Sequence, residues 1–110
     1  MKLPHGDDAI IDPRKLTDYC LSPDHDDGQH KAQLFRALLG LTREHAGMLL
    51  DALREAAADG EAIPGDEDRY GQRYAIDFEF HGPRGRATIR SAWIIRPSET
   101  IPRLVTCYIL

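Results

Sequence analysis

The sequence predicts an α+β domain, with about three N-terminal helices packed on a C-terminal antiparallel β-meander of three to four strands. Apolar residues recur at helical spacing over residues 12–60 and alternate with polar ones over residues 69–110. Short turn sequences join the alternating runs, with no helix between them, which suits antiparallel rather than βαβ pairing. The 110 residues are expected to form one domain, residues 1–110, around a single core.

Asp12-Pro13 opens the first helix, with Asp12 as N-cap and Pro13 at the first helical position, where a missing N–H costs nothing. Leu16, Tyr19 and Cys20 form its apolar stripe, and Ser22-Pro23 stops it. A loop from Pro23 to Gly28 leads into a second helix from about Gln29 to Leu39, closed by Gly40. Its apolar face is expected to carry Phe35, Leu38 and Leu39. Thr42 caps a third helix whose face is Ala46, Leu49, Leu50, Leu53, Ala56 and Ala57, ending at Gly60. Residues 63–69 read as a polar turn around Pro64-Gly65.

From there the period changes. Tyr74, Ile76, Phe78 and Phe80 alternate with Arg73, Asp77 and Glu79 in a first strand. His81-Gly82-Pro83-Arg84-Gly85 turns the chain into a second strand bearing Ile89, Trp93 and Ile95. Pro97-Ser98-Glu99-Thr100 turns it again into a third, Arg103 to Leu110. The aromatic and aliphatic set should face the helices, leaving Arg86, Arg90 and Arg96 outside.

The formal charge of −4 conceals a split. Residues 1–68 carry seven Lys/Arg against fifteen Asp/Glu, whereas residues 69–110 carry seven arginines against three acids. Arginine forks suit phosphate, and they also pair with Asp77, Glu79 and the acidic helices. Cys20 and Cys107 read as small core residues rather than a disulfide. No apolar stretch approaches a membrane span, and the first residues lack the apolar segment of a signal peptide, so a cytoplasmic location is expected.

Lys31 is the most informative residue. It falls on the same helix face as Phe35, one turn earlier, so its ammonium must snorkel past the helix end or be used in a site. His25 and His30 lie within six residues of it. Asp24, His25, Asp26, Asp27 and His30 are metal-ligand types, but their spacing matches neither a closed zinc site nor a calcium loop, and no metal or other cofactor is assigned. Phosphate-loop, nucleophile-elbow and H-E-x-x-H motifs are absent. Ser91 lies on the inward strand face, where its hydroxyl needs a partner, either a nearby carbonyl or a ligand. Trp93 reads first as a core anchor whose indole needs an acceptor, and second as a stacking platform for a base. Histidine, lysine, arginine and hydroxyl groups without a metal are the inventory of metal-independent RNA cleavage, and the same inventory arises by chance.

Asp12-Pro13-Arg14-Lys15-Leu16-Thr17-Asp18-Tyr19, His25-x-x-Gly28-x-x-Lys31-Ala32, Phe35 and Leu39-Gly40-Leu41-Thr42 match a recurrent pattern. So do Tyr70-Gly71, Gly82-Pro83-x-Gly85, Trp93-Ile94 and Pro102-Arg103-Leu104-Val105-Thr106. Together they resemble a family of uncharacterised bacterial domains of about this length, similar to C-terminal toxin tips of polymorphic toxins and to toxin–antitoxin components. That family places threonine where this chain has Ser91. The resemblance implies a fold similar to the barnase–EndoU–colicin–RelE class of ribonucleases and a toxin-like domain cleaving RNA without a metal. His25 or His30 would then transfer the proton and Lys31 would face the phosphate. Ser91 or Thr106 would assist from the sheet, and Arg73, Trp93 and Arg103 would hold substrate. A cognate antitoxin or immunity protein would be its partner. The alternatives are a non-catalytic acidic immunity- or antitoxin-like binding protein, and a structural domain in which Lys31 merely snorkels.

Overall fold

The computed structural model describes residues 1–110. Asp12 Oδ1 accepts the Arg14 N–H at 3.0 Å, and the chain then winds into a wide π-helical turn, Leu16–Cys20. Helix α1, Gln29–Leu34, continues directly into a second π-helical turn, Phe35–Leu39. Gly40 ends it at φ 71°, where a side chain would be strained, and the Leu41 N–H reaches back to the Phe35 carbonyl at 3.1 Å. A 3₁₀ turn, Arg43–His45, leads into α2, Ala46–Asp59, with His45 Nδ1 accepting the Thr42 N–H.

Four antiparallel strands follow in sequence order: β1 (Ala62–Asp68), β2 (Gly71–His81), β3 (Arg86–Ile95) and β4 (Arg103–Ile109). The helices therefore lie mostly N-terminal to the sheet, as expected of the α+β class. Tyr74, Ile76, Phe78, Phe80, Ile89 and Trp93 share the face that packs on Phe35, Leu39, Leu49 and Leu53. Arg90 points the other way and meets Asp77. No helix is long and apolar enough to cross a membrane.

Two sequence expectations are corrected. Residues 63–69 are not a free turn, because β1 pairs with β2 through them. Beyond Ala62 this edge strand is exposed throughout, so it needs no apolar alternation, and an edge tolerates Pro64 and the irregularity between Pro64 and Glu67. Leu38 is not core. In a π-helical turn each residue rotates the chain by less than the ~100° of an α-helix. Phe35 and Leu39 therefore stay buried while Leu38 swings outward, 48% exposed.

Two further features set up the site. Gly28 lies against the Tyr19 carbonyl, where a Cβ would sit 2.3 Å from the oxygen. Its value is close approach: α1 starts hard against the Leu16–Cys20 turn. On β4, the register to β3 shifts between Ala92 and Trp93, which makes Val105 a bulge. Leu104 and Cys107 can then both point into the core, while Thr106 and Tyr108 turn to the outer side, opposite Ala92 and Arg90.

Candidate functional site

Lys31 leaves α1 toward the β4 edge and does not end in water. Its Nζ donates to Thr106 Oγ1 at 3.0 Å and to Tyr19 Oη at 3.3 Å. It also lies 4.8 Å from the Tyr19 ring centroid and 5.4 Å from that of Tyr108. Two hydroxyls and two aromatic faces hold the ammonium, and no carboxylate pairs with it. A half-buried cation with no carboxylate partner can receive an anion from outside.

His25 stands edge-on to Tyr19, ring centroids 4.7 Å apart. Its Nδ1 accepts the N–H groups of both Asp27 and Gly28 at 3.0 Å, closing the loop before α1. An Nδ1 that accepts two backbone donors leaves Nε2 to carry the proton, so Nε2–H is the donor that His25 can offer a ligand. His30 is exposed at the start of α1. No three His, Cys, Asp or Glu side chains converge as a metal ion requires.

Beneath Lys31 lies a thiol pair that sequence reasoning placed in the core without joining its members. The Cys107 thiol donates to Cys20 Sγ at 3.8 Å, and Cys20 lies 3.7 Å from Thr106 Oγ1. That donor, helped by Thr106 and the Lys31 charge and opposed by burial, draws the Cys20 thiol down to about 6. The same contact and burial push Cys107 up. Tyr19 and Tyr108 were likewise legible only as apolar positions. Their spacing to Lys31 carried no signal, because Tyr19 reaches it from the preceding helical turn and Tyr108 from β4 at the far end of the chain.

Ser91 and Trp93 do not belong here. Both are fully buried on the helix-facing side of the sheet. Ser91 donates to the Ile76 carbonyl at 2.8 Å and accepts the Trp93 indole N–H at 2.9 Å, so each satisfies the other within the core. A buried indole offers no face to a substrate. Arg73 and Arg103 are also apart from Lys31. They line a groove of about 750 Å³, with Arg73 beside Asp68 at 3.5 Å and Arg103 bidentate on Glu99.

Residues 2–110 match the family described as Domain of unknown function (DUF6883). The chain belongs to the DUF6883 family. No curated protein matches it. The DUF6883 fold is shared with a chain in a solved contact-dependent growth inhibition toxin–immunity protein complex from Klebsiella pneumoniae 342. The two superpose with a TM-score of 0.67 at 16% identity, over 92% of this chain and 99% of the other. At that identity the likeness is one of fold.

Proposed function

We propose that this domain is the toxic member of a toxin–immunity pair and cleaves RNA without a metal ion. The observation that carries the reading is the Lys31 ammonium, held by Thr106 and Tyr19 between two tyrosine rings with no carboxylate to neutralise it. A phosphodiester is the anion such a centre suits, since charge builds on its non-bridging oxygens as the neighbouring 2′-oxygen attacks phosphorus. Lys31 would face that charge, and the Nε2–H of His25 would donate to a second phosphoryl oxygen. His30, exposed on the same helical turn, would take the 2′-hydroxyl proton. His30 would then return that proton to the departing 5′-oxygen, giving a 2′,3′-cyclic phosphate and a 5′-hydroxyl. The shared fold with a chain of a toxin–immunity complex supports a partner-controlled role.

Induction in a bacterial host without a partner tests the reading. Growth should slow, and the purified domain should cleave single-stranded RNA in the presence of EDTA. Lys31→Met keeps the stem and removes the charge. It should cost about 10²–10³ in cleavage rate with an unchanged circular dichroism spectrum. Normal growth and intact RNA at high expression would overturn the proposal in favour of a non-catalytic binding protein. The exposed acids of β1, Asp66 and Glu67, would then be the surface to probe.

A further inference from the structure

The groove that holds Arg73 and Arg103 is a basic surface that the Lys31 centre does not use. Its walls come from the segment before the Leu16–Cys20 turn, the turn after β1, Arg73 of β2, the end of β3, the loop to β4 and the start of β4. Five cations line it, Lys15, Arg69, Arg73, Arg96 and Arg103, against one lining carboxylate, Asp12. Asp12 is already bidentate on Arg14, and Asp68 and Glu99 at the rim each engage one arginine, Arg73 and Arg103. Lys15 donates only to the Val105 carbonyl, at 3.2 Å. Arg69 donates to the Tyr70 hydroxyl and lies 4.9 Å from that ring's centroid. Arg96 makes no ion pair. Three cations therefore form no direct ion pair, although the charges of Lys15 and Arg96 still reach Asp12 and Glu99.

The geometry points to this groove as a binding track for the phosphate backbone of single-stranded RNA, with Tyr70 as a stacking surface for a base. Guanidinium forks and an ammonium provide sequence-independent phosphate contacts. An aromatic ring 57% exposed beside them is the second component of single-strand recognition. The placement along β4 links groove and centre. Arg103 lines the groove, Lys15 is tied to Val105, and Thr106 is the next residue and holds Lys31. Three residues of strand span about 10 Å. A strand with one phosphate at Lys31 would lay its neighbouring phosphates in the groove. That continuity rests on the RNA-cleaving reading of Lys31, whereas the groove's own affinity does not.

Fluorescence anisotropy with a labelled 2′-O-methyl single-stranded RNA tests it, because the blocked 2′-oxygen separates binding from cleavage. The full chain should bind with a steep salt dependence. A Lys15→Gln/Arg69→Gln/Arg96→Gln variant should bind at least about tenfold more weakly. Its plot of log affinity against log salt should flatten by about 2, at ~0.7 for each phosphate no longer neutralised. All three side chains are exposed, so the fold should survive, and Arg36→Gln, at a different cavity, serves as the charge control. Tyr70→Leu should weaken binding without changing the salt slope. Unchanged affinity and slope in the triple variant would overturn the groove, whatever the wild-type chain does to unmodified RNA. Groove-dependent binding with unmodified RNA left intact would instead overturn the Lys31 reading and leave the groove standing. Equal competition by duplex DNA would overturn the assignment to single strands.

Discussion

Lys31 and Thr106 meet at 3.0 Å although 75 residues separate them in sequence. The contact depends on two local irregularities. The approach of Gly28 to the Tyr19 carbonyl sets where α1 begins, and the Val105 bulge sets which way Thr106 points. Without the bulge, strand alternation could not put Leu104 and Cys107 on one face with Thr106 and Tyr108 on the other.

Thr106→Val should therefore separate the hydroxyl from the shape. Valine keeps the branched form that β4 accommodates and removes the acceptor. Because the ammonium is only half-buried and retains Tyr19, the stability cost should be modest, about 0.5–1.5 kcal/mol in denaturant melts. RNA cleavage should fall by about tenfold or more as Lys31 loses its fixed position, and Thr106→Ser should restore most of it. Equal activity in Thr106→Val and wild type would show that Thr106 does not position Lys31.

Ser91→Ala should give the opposite profile. Removing the hydroxyl leaves the Trp93 indole N–H without an acceptor in the core, at about 1–3 kcal/mol. Because Ser91 lies among buried residues on the helix-facing side, cleavage per folded molecule should not change. A selective loss of activity at unchanged stability would return Ser91 to the site.

The fold was legible because burial writes itself into periodicity. Ile76, Phe78, Ile89 and Trp93 announce their face by alternation, and Gly40 and Asp12 announce helix ends by their chemistry. β1 was not legible, because an exposed edge strand has no apolar face to alternate. Leu38 was misread because helical spacing assumes an α-turn, and no residue type in Phe35–Leu39 marks a π-turn. Within the site, Lys31 was conspicuous as a charge on an apolar stripe. Its cage was not: Tyr19 and Thr106 are unremarkable until tertiary contacts join them. Ser91 was conspicuous for the same reason as Lys31, a polar group on an apolar face, yet its need is met by Trp93. Sequence reveals that a buried polar group requires a partner and leaves the partner's identity to the fold.

The Cys20 and Cys107 pair makes a prediction about pH. The Cys107 donor is the larger cause of the lowered Cys20 value, and the Lys31 charge a smaller one. In an ultraviolet thiolate titration, Cys107→Ala should move the Cys20 transition up from about 6 by more than Lys31→Met does. A folded value near 6 against the ordinary 9.0 adds stability above pH 9 that is lost as pH falls toward 6. Cys107, pushed above 9.0, acts in the other sense and lowers stability as pH rises past that value. Thiol-dependent stability should thus peak near pH 9, and the peak should vanish in a Cys20→Ala/Cys107→Ala chain. A transition near 9 in the wild-type chain would show that the pair does not favour the Cys20 thiolate.

His25 supports a final prediction, because its two nitrogens have different work. Nδ1 holds the loop by accepting the Asp27 and Gly28 N–H groups, which leaves Nε2 as the nitrogen that can donate to a ligand. His25→Asn can supply a side-chain oxygen to the same backbone donors, as asparagine does in Asx turns, while removing the Nε2–H. His25→Ala removes both. If Nε2–H contacts the phosphoryl group, both variants should lose cleavage by about 10²-fold or more. Only His25→Ala should also loosen the loop, seen as faster amide exchange at Asp27 and Gly28. If His25 serves only to shape the loop, His25→Asn should cleave nearly as well as wild type and His25→Ala should not. In either case the proton transfer rests on His30, and His30→Ala should abolish it without altering exchange at either amide.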